Sequence, residues 1–179
     1  ALPIFHPAMR YAAEVRRELG QRTIFNLLGP LTNPAGTTHQ LIGVYDSKLT
    51  QPLAEVLCEL GSQAAMVVYG HGGLDELTTS GPNNVTMLEN GRIQSCKLDG
   101  RQLGLRPASI DELRGGDPQE NAVMLRNVLA GNDNSPRKDV VLLNTAAALA
   151  TRLGNLEEGL RRARQSLESG AALAKLDSL

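Results

Sequence analysis

The chain has 179 residues, 41% of them hydrophobic and 21% charged, with 18 glycines and a formal net charge of −1. These figures predict one aliphatic-cored domain of ordinary size and exclude a disordered chain, a collagen-like repeat and a coiled coil. With three Tyr, two Phe and no Trp, the chain lacks both the basic field and the stacking platform of a nucleic-acid binder, and apolar runs such as residues 64–69 are too short to span a bilayer.

In chain order, residues 6–20 read as a helix that Pro7 starts and Gly20 stops. At about 100° per residue, Phe5, Met9, Ala12 and Leu19 share a stripe of that helix, and Arg16 falls in its middle. A guanidinium on an apolar face must pair with an internal carboxylate, snorkel, or face an anionic ligand, because an unpaired buried charge is costly. The wheel leaves those readings open. His6 is compatible with the same cleft and equally with a capping role. Gly29-Pro30-Leu31-Thr32-Asn33-Pro34 predicts a stiff, non-helical connection, able to wall a pocket or simply to join two elements.

Residues 40–46 predict a buried strand, 48–60 a helix ended by Gly61, and 64–69 a second buried strand. Strand, helix and strand in that order form a βαβ unit with a right-handed crossover and parallel pairing. A Gly-rich loop follows from Gly70 to Glu76. Residues 84–89 and 92–98 alternate around Asn90-Gly91, a strong hairpin signal. Asp117-Pro118-Gln119-Glu120 carries the pattern of a capped helix start. Residues 131–138 read as a polar loop, and helices are expected over about 138–152 and 154–176. Arg161, Arg162 and Arg164 read as a solvated face of the last one.

Asp75-Glu76 is the candidate with the clearest chemistry. Adjacent carboxylates beside a glycine loop, just past a buried strand, lie where open α/β sheets bind ligands. Two hard oxygen donors suit Mg²⁺, which takes one or two carboxylates and completes its shell with water and phosphate oxygens. A loop acid followed by a helix-start acid is the plainer alternative. Gly70, Gly72 and Gly73 do not complete a dinucleotide fingerprint, and neither a P-loop nor a nucleophile-elbow, zinc-protease or CxxC motif occurs. Cys58 and Cys96 have no metal-ligand spacing and read as free thiols of a reducing compartment.

Several segments together closely resemble the anthranilate phosphoribosyltransferase family. They are His6-Pro7-Ala8-Met9, Val15-Arg16-Arg17-Glu18-Leu19-Gly20 and, with the highest specificity, Arg22 through Ala35 (RTIFNLLGPLTNPA). The resemblance continues through Ile42-Gly43-Val44-Tyr45, Gly73-Leu74-Asp75-Glu76, Gly115-Gly116-Asp117 with Glu120-Asn121-Ala122, Leu143-Asn144-Thr145-Ala146 and Ser169-Gly170-Ala171-Ala172. It implies an α/β fold, a mainly parallel sheet with flanking helices plus a β-hairpin, as the carboxyl-terminal part of a nucleoside phosphorylase/phosphoribosyltransferase-like domain.

The resemblance also implies an activity. The family moves a phosphoribosyl group from phosphoribosyl pyrophosphate to the amine of anthranilate in tryptophan biosynthesis. Arg16 would hold the anthranilate carboxylate. His6, Met9, Gly29 and Pro30 would line its path, and Asp75 and Glu76 would hold Mg²⁺. No residue is assigned as a catalytic acid or base. The implied setting is cytoplasmic, with a homodimeric parent and neither a nucleic-acid nor a membrane partner.

Departures from the family pattern are equally specific. The GTGGD-type diphosphate loop, the KHGN-type segment and the N-terminal helical domain have no counterpart within residues 1–179, and Ala1 stands where an initiator Met would. The expectation is a partial catalytic domain that does not turn over alone. Tyr69 stands where many members have His, and Glu14 where many have Pro. A pyrimidine nucleoside phosphorylase-like enzyme and a non-catalytic nucleic-acid-binding relative of the same fold are the alternatives.

Overall fold

The structure, a computed structural model, describes Tyr11, residues 18–20 and residues 25–178. Tyr11, Glu18 and Leu19 are helical and Gly20 follows with a positive φ of 59°, in keeping with the expected stop. Leu19, expected on the apolar stripe, is 49% exposed. Phe5, His6, Met9, Ala12 and Arg16 lie outside the described residues.

The chain then runs through α1 (Phe25–Leu31), β1 (His39–Gly43), α2 (Thr50–Glu59), β2 (Ala64–Tyr69), β3 (Asn83–Glu89) and β4 (Arg92–Leu98). Four helices follow: α3 (Pro118–Leu129), α4 (Pro136–Leu153), α5 (Leu156–Glu168) and α6 (Ala171–Asp177). The sheet order is β1-β2-β3-β4. β1 and β2 pair in parallel through the α2 crossover, His39 opposite Ala64 and Gly43 opposite Val68. β2–β3 and β3–β4 are antiparallel.

The βαβ unit and the hairpin are therefore both present, but among the described residues the sheet is mixed rather than mainly parallel. The reason is the connections. A two-residue Asn90-Gly91 turn, with φ of 48° and 79°, can only reverse the chain, and no helix intervenes between β2 and β3 to carry the chain back for a parallel return.

β2 (AAMVVY) sits at the centre, and its alternation splits the core. Met66 and Val68 face Leu142, Leu143, Ala146 and Ala147 of α4, with Leu160, Ala163 and Leu167 of α5 behind. Ala65 and Val67 face Leu53, Ala54 and Leu57 of α2, with Leu27 and Leu31 of α1 at the edge. Gly159 lets α5 approach α4 closely: a Cβ there would overlap the Ala146 carbonyl. The aliphatic core expected from the composition is thus a helix–sheet–helix sandwich.

Several element boundaries depart from expectation: β1 ends at Gly43 rather than at residue 46, and α2 starts at Thr50 rather than at residue 48. The helix of α1 continues through Gly29 and Pro30, where a non-helical loop was expected. Proline normally bars the helical region to the residue before it through that residue's Cβ, and Gly29 has none. The helix ends directly afterwards, as the Thr32 N–H and hydroxyl both bond the Leu28 carbonyl at 2.9 and 2.7 Å. α4 starts at Pro136, two residues earlier than read, because Ser135 caps it and Pro136 fits the first turn. The last predicted helix is two helices, broken at Gly170 with φ of 74°. Arg161 and Arg162 both bond Glu158 at the surface, as a solvated face should.

Candidate functional site

The loop from Gly70 to Gly81 leaves the carboxyl end of β2 and carries Asp75 and Glu76. Its backbone packs without room for side chains. A Cβ on Gly43, the last residue of β1, would overlap the Asp75 carbonyl, and one on Gly70 would overlap the Glu76 carbonyl. Gly70 N–H bonds the Leu74 carbonyl at 2.7 Å, and Gly73 N–H bonds the Gly70 carbonyl at 3.1 Å. Gly72 and Gly73 hold φ of 80° and 88°, the left-handed region that this tight reversal requires.

Past the acids the chain is pinned. The Leu77 side chain is fully buried in the core against α4. Its N–H donates to Asn144 Oδ1 at 2.9 Å, and its carbonyl accepts from Asn144 Nδ2 at 2.7 Å. The same Nδ2 donates to the Val140 carbonyl at 3.0 Å, which fixes the amide on its own helix. Asn83, fully buried at the start of β3, forms a second hub. Its Oδ1 accepts from the Thr78 and His71 N–H groups at 2.9 and 3.2 Å. Its Nδ2 donates to the Thr78 and Leu98 carbonyls at 2.9 Å each.

Asp75 and Glu76 themselves are exposed. Among the described residues neither takes part in an ion pair, although Asp99, Asp111, Asp139, Glu158 and Asp177 elsewhere pair with arginines. Partial desolvation, and next the neighbouring Asp75 charge, hold the Glu76 carboxyl above its ordinary value. Two adjacent carboxylates without a counter-cation among the described residues, on a backbone fixed at both ends, fit a hard divalent ion. Among the described residues no group of three or more His, Cys, Asp or Glu converges on one point. Any ion held here would take its remaining oxygens from substrate or water, as Mg²⁺ commonly does.

The structure does not bring all the sequence candidates together. Gly29 and Pro30 are half-buried in α1. Pro30 lines a cleft of about 210 Å³, shared with Leu31, Gln40, Leu57 and Leu60. That cleft lies by the start of β1 and the end of α2, whereas Asp75 and Glu76 follow the far end of β2. Six residues of strand separate the two ends, roughly 20 Å. Arg16, His6 and Met9 lie outside the described residues.

Asn83 was not singled out by the sequence, and Asn144 only as part of a resembling string. The partners of Asn144 are set by the meeting of distant segments, it and Leu77 being 67 residues apart, while those of Asn83 depend on how the loop before β3 folds back on it. A polar residue inside the apolar register of α4 was the available signal.

The family model described as "Glycosyl transferase family, a/b domain" matches residues 2–173. The chain is 53% identical over 178 residues to an anthranilate phosphoribosyltransferase of Roseiflexus sp. (strain RS-1), covering 98% of this chain and 52% of that protein. The anthranilate phosphoribosyltransferase of Methanocorpusculum labreanum is 50% identical over 176 residues, 97% of this chain and 51% of that one. The crystal structure of the Thermus thermophilus anthranilate phosphoribosyltransferase superposes with a TM-score of 0.89 at 42% identity, over 97% of this chain and 51% of that one. The Saccharomyces cerevisiae enzyme in complex with PRPP and Mg superposes with a TM-score of 0.86 at 32% identity, over 96% of this chain and 50% of that one. The chain spans about half the length of the curated relatives it matches. From the family match along nearly its whole length, the chain belongs to the glycosyl transferase family with this a/b domain.

Proposed function

We propose that this chain supplies the metal-holding loop and part of the acceptor path of an anthranilate phosphoribosyltransferase acting in tryptophan biosynthesis. In that reaction the anthranilate amine forms a bond to C1 of the ribose, the bond from C1 to the diphosphate breaks, pyrophosphate leaves, and the amine gives up a proton. The carrying observation is the Asp75-Glu76 pair, without an ion-pair partner among the described residues, on a loop whose backbone is tied on both sides. The relatives' names and the yeast complex with PRPP and Mg support the same reading.

Asp75 and Glu76 would hold Mg²⁺, which when bound neutralises charge on the diphosphate. The chain's own work is positional. Gly43 and Gly70 let the loop lie flat against the sheet, and Asn83 and Asn144 keep its backbone from following the substrate's charge. A fixed pair of anions offers its oxygens without reorganising at the moment of reaction. Arg16, as a bidentate partner for the anthranilate carboxylate, with His6, Met9, Gly29 and Pro30 along its path, rests on the resemblance. A homodimeric parent and a cytoplasmic setting belong to the same reading. The latter is supported by free Cys58 and Cys96. Among the described residues no helix is long and apolar enough to cross a membrane.

The test uses a full-length polypeptide carrying this segment. Asp75→Asn with Glu76→Gln raises the Mg²⁺ concentration needed for half-maximal rate at least tenfold, with KM for anthranilate changed less than twofold. Arg16→Ala does the reverse, raising KM for anthranilate at unchanged Mg²⁺ demand. Binding of a pyrimidine nucleoside in place of anthranilate would transfer the reading to a nucleoside phosphorylase.

A further inference from the structure

We propose that Asn144 is a positioning residue for the acidic loop: its amide, locked to α4 and paired with both backbone groups of Leu77, sets the pose in which Asp75 and Glu76 bind a divalent cation. The proposal rests on the metal reading given above.

The geometry carries it. A side-chain amide that donates and accepts with the two groups of one peptide segment imitates a strand partner, and so fixes orientation as well as distance. The third bond, from Nδ2 to the Val140 carbonyl, takes up the remaining donor and stops the amide from turning away. Leu77 directly follows Glu76 in the chain, and its buried side chain removes the other freedom of the loop, sliding along α4. On the near side, Gly43 and Gly70 leave the Asp75 and Glu76 carbonyls packed on backbone. Asn83 acts one residue further on, at Thr78. Asn144 is therefore the side-chain clamp nearest to the acids in the chain, and its amide brings no charge to them.

Two like charges side by side resist being held together. A loop free to relax would swing the carboxylates apart. Outer groups that orient metal-binding side chains typically contribute about 10- to 100-fold to metal affinity. Loss of the clamp is expected to fall in that range.

The experiment uses the full-length polypeptide, with Mn²⁺ as the probe. Binding in the presence of phosphoribosyl pyrophosphate is followed by the loss of the free Mn²⁺ paramagnetic resonance signal, and amide hydrogen exchange is followed over residues 74–78. Asn144→Ala is expected to weaken Mn²⁺ binding at least tenfold and to speed exchange at Leu77, with KM for anthranilate changed less than twofold. Where N144A fails to fold, N144D keeps the side-chain volume and the acceptor for the Leu77 N–H while removing both donors, and the same losses are expected. Leu160→Ala, which opens space between α4 and α5 and removes none of the Asn144 hydrogen bonds, serves as the control for general destabilisation. Equal loss of Mn²⁺ in L160A, or unchanged Mn²⁺ binding in N144A and N144D, overturns the proposal. If Asp75→Asn with Glu76→Gln binds Mn²⁺ like the unaltered protein, the metal reading falls and the clamp proposal with it. If only the acid variant loses Mn²⁺, the metal reading stands and the clamp alone is refuted.

Discussion

The segment Gly115–Asn121 is held by its own neighbours, whereas in the segment Gly70–Asn83 the residue just past the acids, Leu77, is held by a residue far away in the chain. In the first, Asp117 caps α3 by accepting from Glu120 N–H at 2.8 Å, and Glu120 accepts from Asp117 N–H at 2.9 Å. Asn121 brackets Gly116, accepting from its N–H and donating to its carbonyl at 2.9 Å each. In the second, Asn144 makes the same two-bond bracket around Leu77, but across 67 residues. The same chemistry, an amide paired with one residue's backbone, thus builds a helix entry in one place and fixes an acidic loop in the other. A local bracket forms with the helix and can fray with it. A distant bracket exists only when the sheet and α4 have already met, so it reports the assembled core to the loop.

The contrast can be broken at its strongest point by Gly43→Ala. The new Cβ would overlap the Asp75 backbone, which no side-chain rotation relieves. Overpacking of this kind is expected to cost about 3 kcal/mol, read as a lowered urea midpoint, with the acidic loop displaced. A change below about 0.5 kcal/mol would mean the loop is not packed on β1 as described.

A smaller, local effect is expected at the other segment. Asp117→Ala removes one half of the capping box and should cost about 1 kcal/mol. It should speed hydrogen exchange in the first turn of α3 and leave residues 74–78 unchanged. Transmission to the acidic loop would show the two segments to be coupled after all.

The smallest effect is on the surface of α5. Hydrogen bonds from Arg161 first, and Arg162 next, hold the Glu158 carboxyl down at about 2. A depressed carboxylate adds stability above its ordinary value and loses that contribution as pH falls toward about 2. In the double variant Arg161→Ala with Arg162→Ala, the carboxyl midpoint followed by NMR should return to the ordinary carboxylate range. Stability at neutral pH should not change measurably, because the pairs are exposed and screened.

Much of the fold was legible where the signal is local. The βαβ unit, the Asn90-Gly91 hairpin and the Asp117 cap depend on residues within a few positions of each other, and the structure contains all three. The helix through Pro30 was missed because a proline reads as a break unless the missing Cβ of Gly29 is weighed with it. The break at Gly170 was missed because the apolar spacing of α5 and α6 runs on across it. Of the candidate site, Asp75 and Glu76 were legible as adjacent acids after a glycine loop. The residues that hold them were not, since Gly43, Asn83 and Asn144 acquire those partners only through packing.

By itself the sequence determined the class of the domain, its aliphatic core, its turns and caps, and the pair of acids. These follow from side-chain chemistry and short-range periodicity. The tertiary structure alone decided that the sheet is mixed, that the cleft lined by Pro30 lies at the opposite end of the parallel pair from the acids, and that Asp75 and Glu76 have no counter-cation among the described residues. Those are matters of which distant segments meet. Hydrogen bonds and close backbone contacts between segments far apart in the chain leave no periodic trace in the residues that make them.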